Sequence, residues 1–358
     1  MARFLFVTWW GGGNVLPAVA IGHELVARGH EVAVLGDERV RAQADTAGLG
    51  FVATTDPARD TAELAGGVDV AVVDFMMPEV LSVLEAVPGV RTAALVHTLF
   101  AKAHDRMFDL VLAFTSLDRM NDQRLALGLD RIGHGMELLD ERRVARVLLA
   151  FPAVVDSASV TPLPPHARFL GAIDEPLPTG ASWVPPVVDD RPLVVVSLGT
   201  TPMDEAPVLQ RVLDVAADLD VRVVATVGLH LDPAALSVPP NASVSGYVPH
   251  ALVLPQASVL VTHAGLGTTV AGLRAGVPLL CLPLGRDQPG NAARVAELGA
   301  GRVLPPDAPA AELALALRGL LASGAPERVA ARSVAAEIAS ASPPGAAADA
   351  VEELAAER

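Results

Sequence analysis

The sequence predicts an α/β protein of two domains, each with a parallel sheet covered by helices. The chain has 358 residues, of which 51% are hydrophobic, so it is long and apolar enough to form two cores. Strand and helix signals alternate along it, as expected for parallel sheets with helices on both faces. A new strand, turn and helix pattern begins after a segment rich in proline and glycine. We therefore predict domains at 1–175 and 192–345, joined by a linker at 176–191.

The N-terminal half begins with a strand at 3–8, a turn at 11–14 and a helix that Gly29 ends. Further predicted elements are strands at 31–35, 51–53, 68–73 and 92–96 and helices at 38–47 and 79–86. From 99 to 129 the strand pattern is lost. A helix at 136–150 and short strands near Val154 and Phe169 complete this half.

The C-terminal half repeats this architecture without repeating the sequence. Its predicted strands are 193–196, 221–226, 242–244, 259–261 and 279–282, and a helix begins near Asp204. Two alanine-rich helices are predicted near 311–321 and 327–338. The tail, 346–358, also has a helical composition.

Charge and cysteine content exclude several classes of protein. The net charge is -15 and Lys102 is the only lysine, so the chain has no basic surface for nucleic acid, and an anionic membrane would repel it. The single cysteine, Cys281, excludes an intramolecular disulfide and a cysteine metal cluster, and we expect it in the core. No apolar run is long enough to span a bilayer, and residues 4–8 fit a first strand better than a signal peptide. We expect a cytoplasmic protein.

The most informative stretch runs from Val259 to Leu298. An apolar run ends on His263, and glycines and threonines then open a helix; these residues are Gly265, Gly267, Thr268 and Thr269. The first turn of a helix leaves N–H groups unpaired at the positive end of the macrodipole, which suits a phosphate. After the next strand come Asp287 and Gln288, which can bond hydroxyl groups. Phosphate beside hydroxyl groups suggests a nucleotide-sugar.

These residues carry a family resemblance. The segment from His263 to Thr269, followed by Asp287, Gln288 and Asn291, resembles the donor-binding signature of the UDP-glycosyltransferase-like superfamily, in its bacterial natural-product branch. The resemblance implies a GT-B fold, in which two Rossmann-like domains face each other across a cleft. The C-terminal domain would bind the nucleotide-sugar and the N-terminal domain the acceptor. A C-terminal helix at about 346–358 would pack back on the N-terminal domain.

The same resemblance assigns further donor residues. The turn Ser197, Gly199 and Thr200 would face the diphosphate, although Ser and Thr are also ordinary helix caps. The loop at Val248 would receive the nucleobase. His263 would donate a hydrogen bond to a phosphate oxygen, so that departure of the diphosphate needs no metal, and no carboxylate cluster indicates a metal site.

The general base is the difficult assignment. Members of the family usually carry a histidine in the first turn of the chain, where this sequence has Asn14, and asparagine cannot act as a base near neutral pH. Asp74 and His97 both follow strands, at the sheet edge where α/β proteins bind ligands. We favour Asp74 as the base over His97. Another residue such as His104, substrate-assisted transfer and the absence of catalysis stay open.

Residues of the first turn are candidates for the acceptor side. Trp9 and Trp10 add apolar area beside Gly12 and Gly13, and one of them could stack on an acceptor, although a core position is equally consistent with the sequence. Asn14 could orient either substrate by hydrogen bonds.

We therefore expect a metal-independent, inverting glycosyltransferase that moves a hexose or deoxyhexose from a UDP- or dTDP-sugar to a small hydrophobic natural-product acceptor. No cofactor is expected beyond this co-substrate, and a homodimer is left open. One alternative is an auxiliary nucleotide-sugar-binding protein without the base. A second is a lipid-linked sugar transferase, and a third is a nicotinamide-dependent oxidoreductase, whose glycine spacing residues 11–13 do not fit.

Overall fold

The computed structural model describes residues 1–100, 115–156, 163–177, 180–185, 189–199, 202–228, 231–343 and 345–357. The chain forms two compact units. The first comprises Met1–Pro176 together with Ser342–Arg358, and the second comprises Leu177–Ala341.

The first unit contains a parallel sheet of seven strands in the order β3-β2-β1-β4-β5-β6-β7. The strands are β1 Arg3–Val7, β2 Glu31–Gly36, β3 Gly50–Ala53, β4 Val70–Asp74, β5 Arg91–Val96, β6 Arg146–Leu149 and β7 Ala167–Phe169. Their central members are buried along their length, which agrees with near-continuous apolar runs between two helical layers.

The helices of the first unit follow its strands, and one of them comes from the end of the chain. They are α1 Val15–Ala27, α2 Arg41–Thr46, α3 Pro57–Ala65, α4 Pro78–Ala86, α5 Leu117–Ala126 and α12 Ala346–Ala356. Val351 and Leu354 of α12 are fully buried in one cluster with Phe4 and Leu25.

Ion pairs also hold α12 on the first unit. Arg28 binds Asp349 and Glu352 at 2.6 and 2.5 Å, and His30 contacts Glu352 at 2.8 Å. Arg146 pairs with Glu357, and Arg168 pairs with Glu353. Most of these groups are partly exposed, so each pair stabilises little and the apolar face carries most of the docking.

The second unit contains a parallel sheet of six strands in the order β10-β9-β8-β11-β12-β13. The strands are β8 Leu193–Ser197, β9 Arg222–Thr226, β10 Ala242–Ser245, β11 Val259–Thr262, β12 Leu279–Cys281 and β13 Gly301–Val303. Cys281 is fully buried in β12, as expected from the sequence, and burial raises the pKa of its thiol to about 12.

Helices flank this second sheet. They are α6 Ala206–Ala217, α7 His250–Val253, α8 Leu266–Arg274, α9 Gln288–Glu297, α10 Ala310–Leu321 and α11 Pro326–Ala341. The core on one face joins α6 and α10 to β8, β9 and β11, with Leu213 and Leu317 fully buried. The prediction of two parallel-sheet α/β domains is therefore confirmed.

Between 136 and 155 the elements predicted from the sequence are wrong. Instead of one helix at 136–150, there is a 3-10 turn at Gly135–Leu139 and the strand β6, which pairs with β5. A 3-10 turn at Ala153–Val155 replaces the strand expected near Val154. Long-range pairing in the sheet outweighs local helix propensity here. The helices α3, α5, α7 and α9 and the strand β13 were not predicted.

No helix among the described residues is long and apolar enough to cross a membrane.

Candidate active site

In the second unit, the predicted donor residues meet at one edge of the sheet. Strands β8, β11 and β12 are neighbours, and Ser197, Thr262 and Cys281 end them in register. Because parallel strands end at the same edge, the loops that follow them converge. His263, Gly265 and Asp287 belong to these loops.

The imidazole of His263 lies between two glycines. A Cβ atom on Gly265 would lie 2.5 Å from His263 Nε2, and one on Gly199 would lie 3.3 Å from it. The first distance is shorter than any tolerable contact, so an alanine at 265 would displace the ring. Gly199 also has φ of +117°, which L side chains rarely adopt. These two glycines therefore position His263.

Both histidines of this site are held neutral. Burial lowers the pKa of His263 below its usual value, and a hydrogen bond to the Ser197 backbone opposes that shift only in part. Burial, with repulsion from His263, lowers the pKa of His250 to about 4. His250 Nε2 lies 3.1 Å from Ser197 Oγ, so the hydroxyl is part of the same polar group. At neutral pH each ring has one N–H donor and one acceptor nitrogen.

The helix α8 begins directly after His263. Gly265 is its N-cap, and no side chain caps this end among the described residues. Gly267 is exposed and Thr268 is half-buried, whereas Thr269 is fully buried. The first-turn amides therefore face an accessible position where an anion is stabilised by the helix dipole.

Backbone strain is concentrated in the same unit. Among the described residues, the non-glycine residues with positive φ are Asp204, Ala264 and Arg286, at +57°, +67° and +56°. Each follows one of the strands β8, β11 and β12. Such strain costs about 1–3 kcal/mol per residue and often marks ligand sites.

Asp287 and Gln288 differ in their contacts. Asp287 is half-buried directly before α9, and its carboxylate accepts a bond of 2.9 Å from Asn291. Gln288 is 2% exposed, and its Oε1 accepts the backbone N–H groups of Leu284 and Gly285 at 2.7 and 3.0 Å. Its Nε2 contacts the sulfur of Met203 at 3.1 Å. The amide of Gln288 thus shapes the loop that presents Asp287.

Two further donor residues were predicted, Val248 at the nucleobase and Thr200 at the diphosphate. Val248 is 6% exposed, beside the exposed Tyr247, in the loop before α7. Thr200 lies outside the described residues, as does His104.

In the first unit, Asn14, Asp74 and His97 form one hydrogen-bonded group. Asp74 ends β4 and His97 follows β5, its neighbour in the sheet. His97 Nε2 lies 3.1 Å from each carboxylate oxygen of Asp74. Asn14 Nδ2 donates to Asp74 Oδ2 at 2.8 Å. The three residues named as catalytic candidates are therefore joined through the carboxylate of Asp74.

Asn14 also holds the turn after β1. Its Nδ2 donates to the Trp9 carbonyl at 2.9 Å, and its Oδ1 accepts the Gly11 N–H at 3.0 Å. A Cβ atom on Gly11 would lie 2.7 Å from the Trp9 ring and 2.8 Å from Asn14 Oδ1. Glycine at 11 therefore allows the tryptophan and the amide to approach each other.

The predicted acceptor residues surround this turn. Trp10 donates its backbone N–H to Asp37 at 2.7 Å and packs partly against the core, whereas Trp9 lies over Gly11. Gly12 has φ of +95°, which requires glycine, and Gly13 is exposed. Within the described ranges, no three His, Cys, Asp or Glu side chains are placed to hold a metal ion.

The chain is similar to several known proteins. Residues 210–354 match the family of the erythromycin biosynthesis protein CIII-like C-terminal domain. The chain is 26% identical to 4'-demethylrebeccamycin synthase of Lentzea aerocolonigenes over 84% of this chain and 87% of that protein. Three Bacillus relatives, one named as a UDP-glucosyltransferase and two as NDP-glycosyltransferases, are 34 to 36% identical over 33 to 34% of this chain, and the chain spans only 29 to 32% of their length.

Solved structures share the whole fold. The calicheamicin glycosyltransferase CalG4 has a TM-score of 0.81 at 25% identity, covering 100% of this chain and 99% of that one. The glycosyltransferase VinC, solved in complex with dTDP, has a TM-score of 0.77 at 21% identity and covers 98% of both chains.

The two α/β units define a GT-B protein. Within that class, residues 210–354 resemble the erythromycin CIII-like C-terminal domain, and the relatives and structural neighbours include glycosyltransferases of natural products such as calicheamicin. The family resemblance drawn from His263 to Asn291 is thereby confirmed.

Proposed function

We propose that this chain is an inverting glycosyltransferase that needs no metal. It moves a hexose or deoxyhexose from a UDP- or dTDP-sugar to a small hydrophobic acceptor. The observation that carries the proposal is the position of His263 Nε2 between Gly199 and Gly265, at the uncapped N-terminus of α8. We also propose a cytoplasmic location.

The donor site explains how the diphosphate would leave. As the bond between the sugar C1 and the phosphate oxygen breaks, its electron pair stays on the diphosphate. The first-turn amides of α8 are fixed donors for that charge, in a site where they need no reorganisation. Neutral His263 would add its single N–H by exchanging its bond to the Ser197 backbone for one to a phosphate oxygen. Such donors can take the part that a divalent cation plays in other transferases.

The loop before α9 would bind the hydroxyl groups of the sugar. Asp287 is half-buried and held by Asn291, so it can accept hydrogen bonds from sugar hydroxyl groups in a fixed orientation. In this proposal Gln288 acts on the sugar indirectly, because its amide is engaged with the loop backbone.

The acceptor is assigned to the first unit. The edge formed by the turn after β1, by Asp74 and by His97 combines the apolar Trp9 ring with titratable groups. The names of similar proteins, which include a demethylrebeccamycin synthase and a calicheamicin glycosyltransferase, support acceptors that are apolar natural products. VinC with bound dTDP supports a thymidine nucleotide, whereas the name of one Bacillus relative, a UDP-glucosyltransferase, supports uridine.

Calorimetric titration with UDP and dTDP tests the donor site. We expect one nucleotide to bind and His263→Ala to weaken that binding about tenfold or more, since a hydrogen bond to a charged group is removed. The exposed His23 provides a matched control, and His23→Gln should bind like the wild type. Failure of both nucleotides to bind would contradict the donor site.

Transfer from the preferred nucleotide-glucose to a panel of phenols tests the reaction itself. An inverted anomeric product formed in the presence of EDTA is expected. Tight nucleotide binding without transfer to any acceptor would instead identify an auxiliary nucleotide-binding protein, the alternative raised by Asn14.

A further inference from the structure

We propose that His97 is the general base of the transfer and that Asp74 is its positioning residue. This inference rests on the proposed function and adds a residue assignment to it. It reverses the preference drawn from the sequence, in which Asp74 itself takes the proton.

The surroundings of Asp74 disfavour it as the base. The side chain is 2% exposed, and both oxygens accept hydrogen bonds. Oδ1 accepts the backbone N–H of Met76 at 2.9 Å, Oδ2 accepts from Asn14, and His97 lies at 3.1 Å from both. Because both oxygens are engaged and the side chain is almost fully buried, an acceptor hydroxyl group would have to displace one of these partners to reach Asp74.

The surroundings of His97 favour it. An ionised carboxylate has no proton to donate, so the bond between them requires a hydrogen on His97 Nε2. In the neutral ring, Nδ1 is then the basic nitrogen. The tilted ring of Phe75, with centroids 5.0 Å apart, packs against the imidazole and restricts its rotation. The His97 side chain remains 19% exposed, about ten times the fraction of Asp74.

Asn14 completes the arrangement from the other side of the carboxylate. By donating to Asp74 Oδ2, it fixes the carboxylate that in turn fixes His97. Asparagine at the usual histidine position is then consistent with activity, because the histidine is supplied by the end of β5.

The proposed step balances as a single displacement. The acceptor O–H bond breaks and its proton passes to His97 Nδ1, while the acceptor oxygen forms a bond to the sugar C1. The bond from C1 to the phosphate oxygen breaks and its electron pair leaves with the nucleoside diphosphate. Asp74 stays ionised and stabilises the imidazolium that forms.

The test compares two acceptors that differ in acidity. Transfer of glucose from UDP-glucose or dTDP-glucose, whichever nucleotide binds more tightly, is measured to phenol and to the more acidic 4-nitrophenol. A missing base matters less for an acceptor that ionises easily. We expect His97→Gln to lower kcat by about 100-fold or more with phenol and by clearly less with 4-nitrophenol. A purely structural role would lower both rates by the same factor.

A second variant distinguishes loss of the base from loss of folding. Asn14 reaches the same carboxylate, so Asn14→His in the His97→Gln background should restore transfer to phenol by about tenfold or more. Asp74→Asn, which removes the ionised partner, should also lose activity while nucleotide affinity is unchanged. His23→Gln, in the same unit, should retain full activity.

The outcomes separate the two proposals. A wild type that transfers glucose while His97→Gln loses no more than His23→Gln overturns the base assignment and leaves the proposed function standing. Equal losses on both phenols without rescue by Asn14→His also overturn it. Nucleotide binding without any wild-type transfer overturns the proposed function, and the base role with it.

Discussion

The side-chain amide of Asn14 donates a hydrogen bond of 2.8 Å to the carboxylate of Asp74, which follows it by 60 residues. The bond joins the turn after β1 to the end of β4, two strands that are neighbours in the sheet. Asn14 is 7% exposed, and its other contacts, to Trp9 and Gly11, lie within its own turn. The amide of Asn14 therefore fixes both the conformation of the turn and the orientation of the Asp74 carboxylate.

Replacing Asn14 by aspartate should damage this group. Asn14→Asp removes the donor and places a second buried carboxylate within about 3 Å of Asp74, and two like charges that close cannot both ionise at low cost. We expect the free energy of unfolding to fall by about 2–4 kcal/mol at pH 8. The loss should shrink at pH 5, where protonation of one carboxyl group relieves the repulsion. Urea unfolding at both pH values measures this, and a loss that does not depend on pH would refute the explanation.

Gly265 should be the least tolerant glycine for nucleotide binding. Gly265→Ala would place a Cβ atom 2.5 Å from His263 Nε2, so the ring must move away from its position. We expect the Kd for the preferred nucleotide to rise about tenfold or more. Gly290→Ala is the matched control, since a Cβ atom there meets no atom within 4 Å. Equal affinities for the two variants would show that the position of His263 does not govern binding.

Stability should fall in mild acid because His250 resists protonation in the folded state. Its pKa is lowered to about 4 from the usual 6.5, so the unfolded chain binds the proton more readily between these values. The contribution of His250 is therefore complete above pH 6.5 and is lost as the pH falls toward 4. The slope contributed by this residue is at most about 1.4 kcal/mol per pH unit.

The variant His250→Gln should show a shallower loss of stability from pH 7 to pH 4.5 than the wild type, measured by urea unfolding. His263 and the carboxylates are present in both proteins, so the difference reports His250. Identical slopes would mean that His250 is readily protonated in the folded chain.

The C-terminal helix should contribute strongly to the stability of the first unit. Leu354→Ala removes a fully buried side chain from a core that includes Phe4 and Leu25, and should cost about 2–5 kcal/mol. The same substitution at Leu315, which is 69% exposed, should change stability by less than about 0.5 kcal/mol. Hydrogen exchange of the α1 amides would show whether Leu354→Ala destabilises the first unit. Protection there equal to the wild type would argue against this packing.

The sequence predicted most strands and the strand-end positions of the polar residues, because both depend on local patterns. Apolar runs bounded by glycine and proline marked the strands, and parallel strands place their carboxyl ends at one edge. Asp74 and His97 are therefore expected at this edge, and the structure brings them into contact.

The sequence could not rank those two residues as bases, because the ranking depends on contacts between distant segments. The bonds from Asn14, Met76 and His97 to one carboxylate become visible only once β1, β4 and β5 are adjacent. The role of Gln288 was hidden for a similar reason, since its partners are backbone groups of a folded loop. The wrong helix at 136–150 arose because β6 is a strand through its pairing with β5.

The return of α12 to the first unit has a consequence for synthesis on the ribosome. The second unit is a continuous segment, Leu177–Ala341, whereas the first needs both Met1–Pro176 and Ser342–Arg358. Translation proceeds from the N-terminus, so the unit that is made first is the last to have all its parts. Until Val351 and Leu354 leave the exit tunnel, the apolar surface of α1 and β1 that they cover lacks its partner, and this nascent stage is where chaperone binding would act.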